Sequence, residues 1–392
     1  MKNRRLLIYS HDSFGLGHLR RCRALAHAMV DAYKGLSVLI MTGSPIIGRF
    51  DFKARVDFVR IPGVIKLHNG DYTSLALHID LADTLALRES IILNTTKAFA
   101  PDIFLVDKEP LGLKGEVHAT LEMLKDTPTR TILGLRDVMD APDLLAAEWH
   151  TKGVFGELER LYDELWVYGP RAMGNPLRGL PIDADTLAGM RYTGYLRREI
   201  PEFANTVDYT APEPPYILVT PGGGGDGIEM TDWVLRAYES GAQLPWRALF
   251  VLGPFMPQAE RQQFLQRAET LKNVDMITFD AQLERLMANA SAVVAMGGYN
   301  TFCEILSLNR PALILPRSFP RKEQLIRAQN AAALNLISMV DADGDRTTAE
   351  MVQALQQLPL QPPPNVVDKA EWLGGLDSVT ERIGELFGQV PQ

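Results

Sequence analysis

Short apolar runs, each closed by a glycine or proline cluster, set the rhythm of this chain. The central run is Ala292-Val293-Val294-Ala295-Met296, long enough for one buried parallel strand. Gly297-Gly298 follow at once, and Asn300 or Thr301 is then expected to cap a helix whose first turns carry Glu304, Ile305 and Leu306. Glycines let a backbone approach a phosphate, and the first N–H groups of a helix have no intrahelical partners. A strand, a glycine pair and a helix start therefore make an anion site. Glu304, one turn in, is placed to accept hydrogen bonds from sugar hydroxyls. A glycine turn that merely closes a strand onto a helix has the same local pattern, so the surroundings must decide.

The same pattern recurs along the chain. Arg5 to Ser10 reads as a strand, followed by the loop His11-Asp12-Ser13-Phe14-Gly15-Leu16-Gly17-His18 and a helix over Leu19 to Tyr33 with Leu25, Ala28 and Met29 on one face. Leu36 to Thr42 and Val56 to Ile61 read as strands, Leu75 to Phe99 as a long helix, and Ile103 to Asp107, Thr129 to Leu135 and Glu164 to Tyr168 as further strands. Residues 198–215 lose this periodicity and are rich in proline, which predicts a stiff linker. The pattern then restarts. Tyr216 to Thr220 is a strand, Pro221 to Gly227 a glycine loop, and a helix begins near Glu229. Strands over Arg247 to Leu252, Val274 to Thr278 and Pro311 to Leu315 alternate with helices over Leu283 to Ala290 and Lys322 to Ala333. The tail from Lys369 to Phe387 has helical spacing and is expected to pack back across the first domain. Strand and helix in alternation predict α/β architecture with parallel, doubly wound sheets, and ligands in such sheets sit beyond the carboxyl ends of the strands. The expected division is 1–197, a linker over 198–215, 216–366, and a terminal helix over 367–392.

Composition narrows the function. A chain of 392 residues supports two or three domains with full cores. The formal charge of −8 argues against a general attraction to nucleic acid. Two cysteines, Cys22 and Cys303, offer no disulfide framework. The basic start leads into an apolar stretch too short for a signal peptide, and no run reaches 18 apolar residues, so the expected address is the cytoplasm.

Met296-Gly297-Gly298-Tyr299-Asn300-Thr301, Glu304, Pro311, Pro316 and Glu323-Gln324 resemble the nucleotide-sugar half of GT-B glycosyltransferases, and most closely the N-acetylglucosaminyltransferases that make lipid II. Gly15-Leu16-Gly17-His18 is similar to the N-terminal glycine loop of that family. The resemblance implies a GT-B fold, two Rossmann-like domains facing across a cleft. It implies transfer of a sugar, UDP-linked by kinship, to a hydroxyl acceptor on a lipid or polysaccharide, with inversion. No metal or cofactor is implied, and peripheral contact with the inner face of a membrane is. Carried over residue by residue, Glu304 would hold the ribose hydroxyls. The backbone from Gly297 and Gly298 through Tyr299 and Asn300 to Thr301 would face the diphosphate, joined by Gly223, Gly224 and Gly225. Phe279 would contact the base, and Gln324 the donor sugar. This sequence departs from the family at Tyr299-Asn300, and Arg317 and Arg321 add charge nearby. Gly17-His18-Leu19-Arg20-Arg21-Cys22 also resembles the loop of the UDP-sugar hydrolase of pseudaminic acid synthesis. A hydrolase or epimerase that uses no separate acceptor, and a non-catalytic nucleotide-sugar sensor, therefore stand as alternatives.

His18 is expected to act as general base on the acceptor hydroxyl or to donate to the diphosphate; a helix-start histidine bonded to backbone is the other reading. Asp12 would orient it or make a turn. Gly15, Gly17, Arg21, Asp107 and Arg136 fall at strand or loop ends that should line the acceptor side, although Arg20, Arg21 and Arg23 equally suit a solvated helix face. Arg20 to Arg23 and Ile46 to Phe50 are candidate membrane-docking patches. Other chemistries lack their residues. Gly222 to Gly227 has no Lys-Ser/Thr ending for a P-loop, and Gly15-x-Gly17 lacks the third dinucleotide glycine. Asp341 to Asp345 has Arg346 where a calcium loop needs glycine, and Asp183-Ala184-Asp185 only imitates a metal-dependent sugar transferase.

Overall fold

The computed structural model describes residues 3–11, 17–66, 72–200, 212–223, 225–280, 282–341, 344–366 and 368–388. The elements in chain order begin with β1 (Arg4–Ser10), α1 (Gly17–Ala32), β2 (Leu36–Thr42), β3 (Val56–Arg60), β4 (Val64–Lys66), β5 (Tyr72–Ser74), α2 (Leu81–Phe99), β6 (Ile103–Asp107) and α3 (His118–Lys125). Next come β7 (Arg130–Arg136), α4 (Pro142–Thr151), α5 (Glu157–Leu161), β8 (Glu164–Tyr168), α6 (Ala184–Gly189) and β9 (Arg191–Tyr192). The second series is β10 (Tyr216–Thr220), α7 (Ile228–Glu239), β11 (Arg247–Val251), α8 (Gln258–Glu269), β12 (Val274–Ile277), α9 (Leu283–Asn289), β13 (Ala292–Ala295) and α10 (Tyr299–Ser307). It closes with β14 (Ala312–Ile314), α11 (Glu323–Ala333), β15 (Ser338–Met339) and α12 (Thr348–Gln357), and α13 (Lys369–Leu373) and α14 (Gly375–Phe387) end the chain. Two compact units result: Met1–Leu196 with Ala370–Gln392, and Arg197–Lys369.

The first unit holds a parallel sheet in the order β3-β2-β1-β6-β7-β8-β9. Leu6 to Tyr9 and Phe104 to Val106 have no exposed surface, which is why these strands read as unbroken apolar runs rather than alternating ones. Helix α14 packs on α1 through a stripe of Val379, Ile383 and Phe387 at helical spacing. Tyr33 Oη donates to the Thr380 carbonyl at 2.9 Å, and the Arg4 guanidinium lies 5.1 Å from the Phe387 ring centre. The tail enters this unit past Tyr195, whose N–H donates to the Trp372 carbonyl at 2.7 Å. Gly375 is required there, since a Cβ would stand 2.5 Å from the Gly194 carbonyl oxygen. Beneath the sheet, Glu116 accepts from Tyr9 Oη at 2.5 Å and from Arg88 Nε and Nη2, each at 2.5 Å.

Helix α2 starts at Leu81, not Leu75. Tyr72–Ser74 pairs antiparallel with Val64–Lys66, and Leu75 N–H donates to the Gly63 carbonyl at 2.9 Å. Leu75, Leu77 and Ile79 alternate with period two, which a helix cannot bury on one face; they stay 38%, 44% and 44% exposed.

The second unit holds a parallel sheet in the order β12-β11-β10-β13-β14-β15. In both sheets the strand order reverses beside the first strand, between β1 and β6 and between β10 and β13. Register brings Ser10 against Asp107, and Thr220 against Ala295. In doubly wound sheets, ligands bind beyond the carboxyl ends of the strands at such a reversal.

Candidate functional site

Each unit has a constellation at its own reversal point. In the first unit, Asp107 is the last residue of β6 and is 1% exposed. Gly17 and His18 open α1, and Arg21 follows one turn later, 2% exposed. Arg21 Nε donates to Asp107 Oδ1 at 2.7 Å and Arg21 Nη2 to Oδ2 at 2.6 Å, a two-pronged charged pair. His18 Nδ1 lies 2.6 Å from Asp107 Oδ2. With Arg21 Nη2, 3.0 Å from Nδ1, already donating to Oδ2, the Nδ1–H tautomer satisfies the carboxylate and leaves the lone pair on Nε2. The side chain of His18 is 18% exposed. Burial lowers its pKa to about 4, outweighing the upward pull of Asp107. Burial pushes the Asp107 carboxyl up, but Arg21 and His18 outweigh that and hold it well below the usual carboxylate range.

Arg21 is therefore not part of a solvated face, and both oxygens of Asp107 serve Arg21 and His18 rather than reaching outward. Arg136 ends β7, half-buried, one strand further along. Asp12 and Gly15 lie outside the described residues. The His11 ring stands edge-on to His18 at 5.5 Å between centres, and burial holds its pKa well below the ordinary value. Next to Asp107, Lys108 takes a φ of 71°, strained for a side chain of its size, and donates to Glu109 at 2.9 Å.

In the second unit, α10 begins with Gly298 at its N-cap position and no side-chain cap. Asn300 and Thr301 lie inside the first turn, so neither is the cap that the sequence suggested. Gly297 takes φ 79°, and a Cβ there would stand 2.9 Å from Ile314 Cγ2, so a side chain is excluded on both counts. Tyr299, Asn300 and Thr301 are buried, and Glu304 is fully buried. The glycine loop after β10 comes up beside this turn, with Gly222 near Thr301 Oγ1 and the Gly223 carbonyl accepting from Phe255 N–H at 3.0 Å. Gly225 is exposed, and Gly224 lies outside the described residues. Gln324 accepts the Arg317 N–H through Oε1 at 3.2 Å, which fixes its amide and leaves NH₂ as the other face. Phe279 is 39% exposed beyond β12.

Two arginines escaped the sequence reading. Arg198 Nη2 donates to Asn300 Oδ1 at 2.8 Å, and Arg327, fully buried, donates through Nη1 to the Gly297 carbonyl at 3.1 Å. Arg198 meets the first turn of α10, and Arg327 the glycine just before it.

Among the described residues, one group of three potential metal ligands comes together: His118, Glu122 and Glu157 in the first unit. Arg160 pairs with both of those glutamates, so a cation already sits among them. Asp183 caps α6, accepting the Thr186 N–H at 2.7 Å, which accounts for the Asp-Ala-Asp sequence without a metal. Among the described residues, no helix is long and apolar enough to cross a membrane.

Residues 247–371 match the glycosyltransferase family 28 C-terminal domain. The chain is 24% identical over 198 residues to the UDP-N-acetylglucosamine–N-acetylmuramyl-(pentapeptide) pyrophosphoryl-undecaprenol N-acetylglucosamine transferase of Exiguobacterium sp.. That alignment covers 50% of this chain and 53% of the relative, so the chain spans about half the length of the curated relatives it matches. The kitacinnamycin glycotransferase structure superposes with a TM-score of 0.62 at 16% identity, covering 99% of each chain. MurG of Acinetobacter baumannii superposes with a TM-score of 0.59 at 12% identity, covering 97% of this chain and 99% of the other. This chain thus has the GT-B fold and resembles the lipid II-forming N-acetylglucosaminyltransferases, its residues 247–371 matching the C-terminal domain of glycosyltransferase family 28.

Proposed function

We propose that this chain transfers a glycosyl group from a nucleotide-sugar to a hydroxyl acceptor, with inversion at the anomeric carbon. The observation that carries the reading is the 2.6 Å contact of His18 Nδ1 with Asp107 at the sheet's reversal point. His18 Nε2 takes the proton of the acceptor hydroxyl as that oxygen attacks the anomeric carbon. The bond from that carbon to the diphosphate oxygen breaks, and the nucleoside diphosphate leaves with the electron pair. The N–H groups of the first turn of α10 and the positive end of its dipole receive the charge. Gly223 and its neighbours join them, Glu304 accepts from the ribose hydroxyls, Phe279 lies against the base, and Gln324 meets the sugar. No step calls for a metal or a cofactor.

The relatives' name specifies UDP-N-acetylglucosamine and a lipid-linked acceptor. We carry over a UDP-sugar donor and an acceptor on a lipid or polysaccharide, handled from the cytoplasm at the membrane surface. The test is product partition. Nucleotide release stimulated by the correct acceptor, with the sugar recovered on it, is expected; release of free sugar at an undiminished rate without any acceptor would favour water as the true acceptor. The pH profile adds a second check. His18 works only unprotonated, and its lowered pKa keeps it so down to about 4. The acid limb of kcat/KM is therefore expected between about pH 4 and 5, well below the roughly 6.5 of a free imidazole. A limb at 6.5 or above would contradict the buried neutral base.

A further inference from the structure

We propose that Arg327 is a positioning residue that locks the peptide between Gly297 and Gly298 so that it presents an N–H, not a carbonyl, to the leaving diphosphate. The proposal rests on the reading of that turn as the diphosphate site. A trans peptide points its C=O and its N–H in opposite directions. Arg327 Nη1 donates to the Gly297 carbonyl at 3.1 Å from a fully buried position on α11. The carbonyl is thereby turned inward, and the N–H of Gly298 is turned the other way, ahead of the first turn of α10. Two successive glycines, one at φ 79°, impose little resistance to a flip of this peptide. A flip would aim a carbonyl dipole at the phosphate oxygens, so a site built on this backbone needs something to hold it.

The placement of the charge supports a role beyond packing. The Arg327 guanidinium carbon lies 5.8 Å from the Tyr299 ring centre, at the first residue of α10. A cation at the N-terminal end of a helix opposes the dipole there, where an anion is favoured. Burying a guanidinium at that end is unfavourable for the resting fold and favourable once a diphosphate arrives. Tyr299 is also a point where this sequence departs from the lipid II family, and its ring is the surface on which Arg327 rests.

The experiment compares nucleoside diphosphates with their nucleosides. Intact wild-type chain, Arg327→Met and Arg327→Lys are titrated with UDP, GDP and dTDP, and with uridine, guanosine and thymidine. Arg327→Met is expected to weaken the diphosphate that binds by at least tenfold while leaving its nucleoside unchanged. Arg327→Lys keeps the buried charge without the forked donor, and it is expected to fall between the two for the diphosphate alone. Equal losses for nucleoside and diphosphate in both variants would assign Arg327 to the fold only and overturn the proposal, as would unchanged diphosphate affinity. If the wild type binds none of the six ligands, the donor reading itself fails, and the proposal with it.

Discussion

Replacing His18 with alanine is expected to lower kcat by about 100- to 10,000-fold, the range lost when a positioned general base is removed, and to leave nucleotide-sugar affinity intact. The two effects separate because the groups proposed to hold the donor belong to the second unit and His18 to the first. The fold should tolerate the change. Asp107 still accepts from Arg21 Nε at 2.7 Å and Nη2 at 2.6 Å, so no buried carboxylate is stranded. A single-turnover assay beside a donor titration makes the measurement. Normal turnover with a known acceptor would end the general-base role, and parallel loss of donor affinity would point to the alternative of a hydrogen bond to the diphosphate.

The largest stability effect is expected at Glu116. Its carboxylate is 2% exposed and takes hydrogen bonds from Tyr9 and Arg88, which are 0% and 1% exposed. Glu116→Ala strands the Arg88 guanidinium in the core, and breaking such a buried pair costs about 3–5 kcal/mol. That is a large part of the roughly 5–15 kcal/mol that holds a typical protein folded. The companion variant removes the whole trio. Tyr9→Phe with Arg88→Met and Glu116→Leu leaves no buried charge; only the Leu113 N–H and the Pro62 carbonyl lose a partner, at Tyr9 Oη and Arg88 Nη1, so the triple variant is expected to be less destabilised than Glu116→Ala. Denaturant unfolding of both reads the difference. Equal destabilisation would mean that lost packing, not the stranded charge, sets the cost.

Much of the fold was legible in the sequence. Leu36–Thr42, Ile103–Asp107, Glu164–Tyr168 and Tyr216–Thr220 have the bounds their apolar runs suggest, because central parallel strands are buried on both faces and announce themselves. The errors fall where one period imitates another. Leu75 to Ile79 looked helical by composition, although its alternation belongs to extended chain. In the tail, one helical pattern forms two helices, parted at Gly374, and backbone from residues 194–195 passes too close to Gly375 for a side chain.

The site was less legible, for a physical reason. His18, Arg21 and the glycine loops stood out because their residue types are local signals. Their partnership was invisible: Asp107 is 89 residues from His18, and only the strand order that sets β6 beside β1 brings them together. Arg198 and Asn300, 102 residues apart, likewise meet only in the folded chain. Sequence placed Asp107 at a strand end and gave no sign that it meets His18 and Arg21. The capping of α10 failed more locally. Asn300 and Thr301 have the right chemistry for caps, yet the helix starts immediately after Gly298, which leaves its first N–H groups without a side-chain cap.

The most direct test of the central claim is a thermal-unfolding titration of the intact chain with UDP, GDP and dTDP and a set of their sugars. A ligand bound at 100 times its dissociation constant adds about 2.7 kcal/mol, enough for a clear rise in Tm. The account predicts a selective rise with one nucleotide and its sugars, abolished in Glu304→Ala, whose buried carboxylate is assigned to the ribose hydroxyls. No rise with any of them, or a rise that Glu304→Ala leaves unchanged, would contradict it.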